Sequence, residues 1–271
     1  MLPTLRHYVA LYRRLIGAQI RSQMQYRFSF YADMLGTMVI TGLDVVMLVV
    51  LLARFEAIGG WTLPQVMFLY GTSAVSYSLA EMLVGAFDDF DRDVVSGDFD
   101  RVLLRPLPIF FQMVTGRFPT RRLGRLAQGL IALVVSLMLL HPAWPAGAWA
   151  FFAVMIVSGA LLFAAILITG ATASFWSPQT NEAVNIFTYG GQFMSSYPMH
   201  IYQGWLISIF TFVIPMAFIN YYPTLYLFGR TAAMGVPAFV PFLSPLVALV
   251  AFAASLRVWR IGVRHYHSTG S

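Results

Sequence analysis

The acids of this chain are unevenly placed. Asp44 and Glu81 lie inside apolar runs, while Asp88, Asp89, Asp91, Asp93, Asp98 and Asp100 crowd into D-D-F-D-R-D-V-V-S-G-D-F-D-R-V-L-L-R-P-L-P, residues 88–108. An acid inside a bilayer costs several kcal/mol unless it faces protein, water or a partner. Asp44 and Glu81 therefore read either as pathway acids that draw a cation or protons, or as partners in an interhelical hydrogen bond or ion pair. Tyr70, Ser73, Tyr77 and Glu81 share one helical face at spacings of three or four, and Tyr189, Gln192 and Tyr197 lie in a later apolar run. These eight residues are the candidates for a substrate pathway, with helix packing and interfacial aromatics as the plain alternative.

Bond-making chemistry finds no such set. The histidines, at 7, 141, 200, 265 and 267, have no metal-ligand spacing, and no G-x-S-x-G elbow occurs. The clustered aspartates lack the regular alternation and closing glutamate of a calcium loop. With no cysteine, disulfides, thiolate metal sites and cysteine nucleophiles are excluded. All 17 basic residues are arginine, so a P-loop, which needs a lysine on the phosphates, is absent. No cofactor is expected in this chain, and any ATP must be bound elsewhere. An enzyme acting on membrane lipid would need a convergent His, Asp or Ser set that is missing.

The elements that position these residues must be membrane helices. Charged residues make up 10% of the 271 and hydrophobic ones 59%, with a mean hydropathy of +0.72. A soluble surface needs about 25% charged residues. Several uncharged runs reach the ~20 residues that cross a bilayer as a helix. The longest, 126–181, has room for two crossings around His141-Pro142 and Pro145-Ala146-Gly147. The expected fold is an all-α polytopic membrane protein with six transmembrane helices, near 30–53, 64–87, 126–140, 148–175, 183–201 and 240–259. Residues 1–29 form a basic amphipathic helix suited to the membrane interface. No cleavable signal peptide is evident there. Between spans five and six, 203–233 holds two short apolar pieces broken by Pro215 and Pro223, which read as a re-entrant hairpin. The alternative is that 205–219 is itself a full span.

Arginine counts orient the chain. If six spans begin from a cytoplasmic N-terminus, 15 arginines lie inside and only Arg54 and Arg230 outside. Both termini and the charged block are then cytoplasmic. The formal charge of +6 fits anionic headgroups better than nucleic acid. Within the block, Val102, Leu103 and Leu104 stand among charges, as a protein-binding surface requires. The bland alternative is a solvated loop that only sets topology.

The runs G-D-F-D-R-V-L-L-R-P-L at 97–107, S-S-Y-P-M-H-I-Y at 195–202 and I-P-M-A-F-I-N-Y-Y-P at 214–223 resemble those of one subgroup of type-2 ABC exporter permeases. The resemblance covers essentially the whole chain and rests on the order and spacing of these motifs. It implies a single permease domain whose cytoplasmic region 88–118 docks on a separate ABC ATPase. The implied coupling residues are Asp88, Asp89, Asp91, Asp93, Gly97, Asp98, Asp100, Arg101, Leu104, Arg105 and Pro106. It also implies two ATPase copies carrying ATP and magnesium, a second permease of the same or a homologous chain, and a bacterial inner-membrane location. Spans two and five of the two permeases would flank the route. The competing reading is a secondary transporter or channel coupled to protons through Asp44 and Glu81.

Overall fold

The computed structural model describes residues 5–55, 57–117, 122–177 and 181–266, all helical or irregular apart from one antiparallel bridge between Ile58 and Trp61. Helix α1 (Leu5–Gln23) passes through a tight turn at Met24–Tyr26 into α2 (Arg27–Arg54). α3 is Leu63–Val84; α4 (Phe90–Val95) and α5 (Asp98–Leu103) are short; α6 is Ile109–Gly116. α7 (Arg122–Leu140), α8 (Ala146–Ala173) and α9 (Asn181–Ser195) follow. α10 (Gly204–Ser208) runs on as a wider turn to Val213, and α11 (Tyr221–Leu227) precedes α12 (Ser244–His265).

Among the described residues, four helical stretches are long and apolar enough to cross a membrane: Arg6–Arg54, Arg122–Leu140, Ala146–Ala173 and Val240–His265. The chain is therefore a multi-pass α-helical membrane protein. The pieces Gly204–Val213 and Met216–Leu227 are bent by 78° at Pro215 and together make a fifth candidate. α3 and α9 fall outside this set, α3 because its serines, Thr72 and Glu81 dilute its hydropathy, α9 because it has 15 residues. The expected fifth span to residue 201 stops at Ser195, since Pro198 disfavours helix at the residue before it.

α3 is the central helix. It starts at a capping box, Thr62 with Gln65, with Pro64 in its first turn, and is buried on almost every side. Small residues make that possible. A Cβ on Gly71 would meet the Leu133 backbone of α7 at 2.8 Å, one on Gly129 would meet Ala74 at 2.9 Å, and one on Gly159 of α8 would meet Ser76 at 2.8 Å. Without a hydrophobic drive between helices in lipid, such close backbone approach supplies the packing attraction. α2 crosses α7 where Gly124 faces the Met34 carbonyl, and otherwise exposes Val39, Ile40, Leu43, Met47 and Val50. The bent segment is pinned by fully buried Asn220. Its amide donates to the carbonyls of Leu69 in α3 (2.9 Å) and Ser195 in α9 (2.7 Å).

α1 lies along α6. Tyr8 packs edge-on against Phe111, Ile16 is buried, and the Gln19 amide donates to the carbonyls of Thr115 (2.6 Å) and Gly116 (2.8 Å). At the opposite end of the bundle, buried Trp61 stacks near His200, Tyr221 and Phe228, with Arg230 over its ring at 5.1 Å.

Candidate functional site

The acidic stretch folds into a two-helix knob. α4 and α5 meet at Gly97, whose φ of 75° is left-handed and favours glycine. The knob alternates inward aromatics with outward charge. Phe90, Val94 and Phe99 are buried, whereas Val95, Leu103 and Leu104 are exposed, Leu104 by 86%. Phe99 stands edge-on to Phe90 (5.1 Å), Phe175 (5.4 Å) and Tyr266 (4.9 Å) between ring centroids. Trp259 of α12 closes the same cluster against Phe90 and Phe175. Such edge-to-face pairs add about 0.5–1.5 kcal/mol each beyond area burial. The knob thus sits on an aromatic root built from the neighbouring ends of α8 and α12.

Polar contacts fix its outline. The Tyr266 hydroxyl donates to Asp100 Oδ1 at 2.9 Å. The Gln112 amide of α6 donates to the carbonyls of Val102 (3.0 Å) and Leu107 (2.8 Å), holding the chain that leaves α5. Arg117 pairs with Asp93, Arg101 with Asp98 at 3.3 Å, and Arg92 with Asp89 at 3.4 Å. Burial pushes the Asp93 carboxyl above the usual range, against the pull of Arg117. Burial, then the hydrogen bond to Asp100, pushes the Tyr266 phenol up to about 12. Asp98, Arg101, Leu104, Arg105 and Pro106 stand outermost, with Gly97 and Asp100 half-buried beside them. Asp88, Asp89, Asp91 and Asp93 are half-buried, and Asp88 and Asp93 turn back toward the bundle.

Behind the knob lies a buried ion network. Arg122, at the start of α7, reaches Asp88 Oδ2 at 2.6 Å and Glu81 Oε1 at 3.4 Å, and donates to the Glu81 carbonyl at 3.1 Å. Arg125, one turn on, reaches Glu81 Oε2 at 3.0 Å and lies over the Tyr77 ring. The Tyr189 hydroxyl of α9 donates to Asp88 at 3.1 Å. Buried charges persist only when paired and hydrogen-bonded, and here each carboxylate meets an arginine. Sequence reasoning counted Arg122 and Arg125 only for orientation. Their spacing of three at the head of an apolar run was the signal that both point one way.

The eight pathway candidates divide. Tyr70, Ser73, Tyr77 and Glu81 are buried inside the bundle. The Tyr70 hydroxyl lies 3.0 Å from the Thr41 carbonyl oxygen and 3.2 Å from Gln128 Oε1. Ser73 Oγ lies 2.6 Å from Ser195 Oγ. Asp44 is exposed among the apolar residues of α2, Tyr189 is 39% exposed, and Gln192 and Tyr197 are half-buried. Among the described residues no group of three or more His, Cys, Asp or Glu is placed to hold a metal ion.

Comparison with curated proteins and with solved structures finds no significant match. A family model described as "ABC-2 family transporter protein" matches residues 38–270, a range that takes in the knob, the ion network, Asn220 and the aromatic root. The chain belongs to that family.

Proposed function

We propose that this chain is the permease subunit of an ATP-driven ABC exporter, moving substrate outward as a separate ATPase subunit hydrolyses ATP. The family points to an ABC ATPase as partner. The observation that carries the reading is the knob. An exposed apolar and charged tip on a rigid aromatic root is a handle through which an outside motor can move helices.

In this reading α2, α3, α7, α8, α9 and α12 are the six spans, and α10–α11 form a re-entrant hairpin on the external side. The arginine distribution supports placing both termini and the knob in the cytoplasm of a bacterial inner membrane. Two ATPase copies carry ATP and magnesium, and a second permease, identical or homologous, completes the transporter. Gly97, Asp98, Asp100, Arg101, Leu104, Arg105 and Pro106 meet the ATPase, while Asp88, Asp89, Asp91 and Asp93 frame the knob. Motion passes along two routes. Phe99 leads to α8 and α12, and Asp88 leads through Arg122 to Glu81 on α3. Asp44, Tyr189, Gln192 and Tyr197 face the route shared with the second permease; Tyr70, Ser73, Tyr77 and Glu81 brace it from behind. This subunit performs no bond chemistry.

The test is co-purification from native membranes. A P-loop ATPase should accompany the wild-type chain and be lost on Leu104→Asp or on Asp98→Ala with Arg101→Ala. Recovery of no nucleotide-binding chain counts against the proposal. The exposed, mid-helix Asp44 favours a second reading, a proton-coupled transporter. That reading requires transport that survives without nucleotide and collapses with the proton gradient.

A further inference from the structure

Between the knob and α6 lies a small polar slot of about 190 Å³. Arg101 of α5, Arg105 of the turn after it and Arg117 at the end of α6 all line it, together with Asp93 and Asp98. Val102 and Met113 supply apolar wall. The slot is preformed, because the Gln112 amide holds the carbonyls of Val102 and Leu107 and so fixes the course of the chain beside it.

Charge decides what the slot lacks. Arg117 pairs with Asp93. Arg101 pairs with Asp98 Oδ1 at 3.3 Å, and Ser96 Oγ donates to Asp98 Oδ2 at 3.0 Å. Arg105 has neither an ion pair nor a side-chain hydrogen bond among the described residues. Residues 118–121, F-P-T-R, contain no acid that could serve it. Three guanidinium groups against two carboxylates leave one positive charge in the slot. Each guanidinium carries five donors, so the two existing pairs leave donors on Arg101 and Arg117 as well.

Size limits the occupant. Small-molecule sites run from about 300 Å³ upward, so the slot is too small for a nucleotide and has room for one side chain. A dianionic phosphate would face Asp93 and Asp98 at close quarters. A single carboxylate matches the one charge left over, and its methylene stem finds Val102 and Met113.

We propose that the slot receives one aspartate or glutamate side chain of the ATPase subunit, its carboxylate on Arg105 with Arg101 and Arg117 beside it. This rests on the permease reading above and adds the chemistry of one contact. Docking takes the pair out of water and fixes the register of the two subunits.

The experiment uses the full chain in complex with the ATPase that accompanies it from native membranes. All 17 basic residues are arginine, so Arg105→Lys introduces the only side-chain amine in this chain. A carbodiimide, which joins an amine to a carboxylate in direct contact, should then link position 105 to a single acid of the ATPase, read by mass spectrometry. Arg92→Lys, on the same knob but outside the slot, should give no such link. Arg105→Glu should weaken ATPase binding at least about tenfold, and lysine in place of the cross-linked acid should restore it. Arg92→Glu should leave binding unchanged. An ATPase that accompanies the wild type but forms no link through position 105, binds Arg105→Glu as well as wild type, or is weakened equally by Arg92→Glu overturns the slot and leaves the permease reading standing. No ATPase with the wild type overturns both.

Discussion

Replacing Phe99 with alanine should release the knob without unfolding the bundle. Phe99 is fully buried and lies edge-on to Phe90, Phe175 and Tyr266. Its transfer out of water contributes about 1.5–3 kcal/mol. With the cavity left among three rings, a Phe→Ala change costs about 3–5 kcal/mol. The loss falls on α5, a six-residue helix held by this root, and not on the spanning helices. At about 1.4 kcal/mol per tenfold, the opened population should rise from about 10²-fold to about 4 × 10³-fold. Trypsin reads that population when reclosing is fast. Arg101 is the reporting site, since Arg105 precedes Pro106 and is not cleaved. Cleavage after Arg101, followed by mass spectrometry, should accelerate strongly in Phe99→Ala and remain unchanged in Leu104→Ala, whose side chain is outside the root. A Phe99→Ala rate within about threefold of wild type, or an equal rise in Leu104→Ala, refutes the reasoning.

Arg122→Ala leaves Glu81 and Asp88 buried against less positive charge and should cost about 3–5 kcal/mol, read as a lowered melting temperature in detergent; unchanged melting contradicts the network. Gly124→Ala drives a Cβ into the Met34 carbonyl and should separate α2 from α7, whereas Gly36→Ala, with open space around it, should be neutral. Tyr266→Phe should cost about 1 kcal/mol at neutral pH, the net worth of one hydrogen bond. Since the Tyr266 phenol is raised to about 12, that contribution is full below the ordinary tyrosine range near 10 and is lost as pH rises through about 12. A wild-type minus Tyr266→Phe ultraviolet titration should show one late phenol. The Asp93 carboxyl is raised, so burial favours its protonated form, and that contribution is present in acid and lost as pH rises. Asp93→Asn should therefore be neutral or stabilising at pH 7, with the gain disappearing below about pH 4; clear destabilisation at pH 7 contradicts this.

Hydropathy made the long helices legible, because lipid leaves the backbone no alternative to internal hydrogen bonds. The break at Pro215 was legible for the same local reason. α3 was harder. Its face of Tyr70, Ser73, Tyr77 and Glu81 was correctly periodic, but periodicity cannot say that small residues on every other face let α7, α8 and α9 bury the whole helix. The knob was visible as dense charge, and the repeated Asp-Phe-Asp at 89–91 and 98–100 carried a further signal. A phenylalanine twice flanked by aspartates has one side in water and needs an apolar socket on the other. Which socket was invisible, because Phe175, Trp259 and Tyr266 come from distant parts of the chain. Arg122 was likewise hidden. Its pairing with Glu81 and Asp88 exists only once α3 and α7 are packed.

The aromatic root also sets an order of assembly. Phe99 emerges from synthesis long before Trp259 of α12 and Tyr266 just past its end, which complete its socket. A chain halted before α12 has the knob residues but no seat to shape them, so the exposed tip of the knob takes its form only after the membrane part is finished. Under the proposed function, docking of the ATPase then doubles as inspection. A nascent chain truncated before Trp259 should be cut after Arg101 as fast as Phe99→Ala, and completion of α12 should abolish that cleavage.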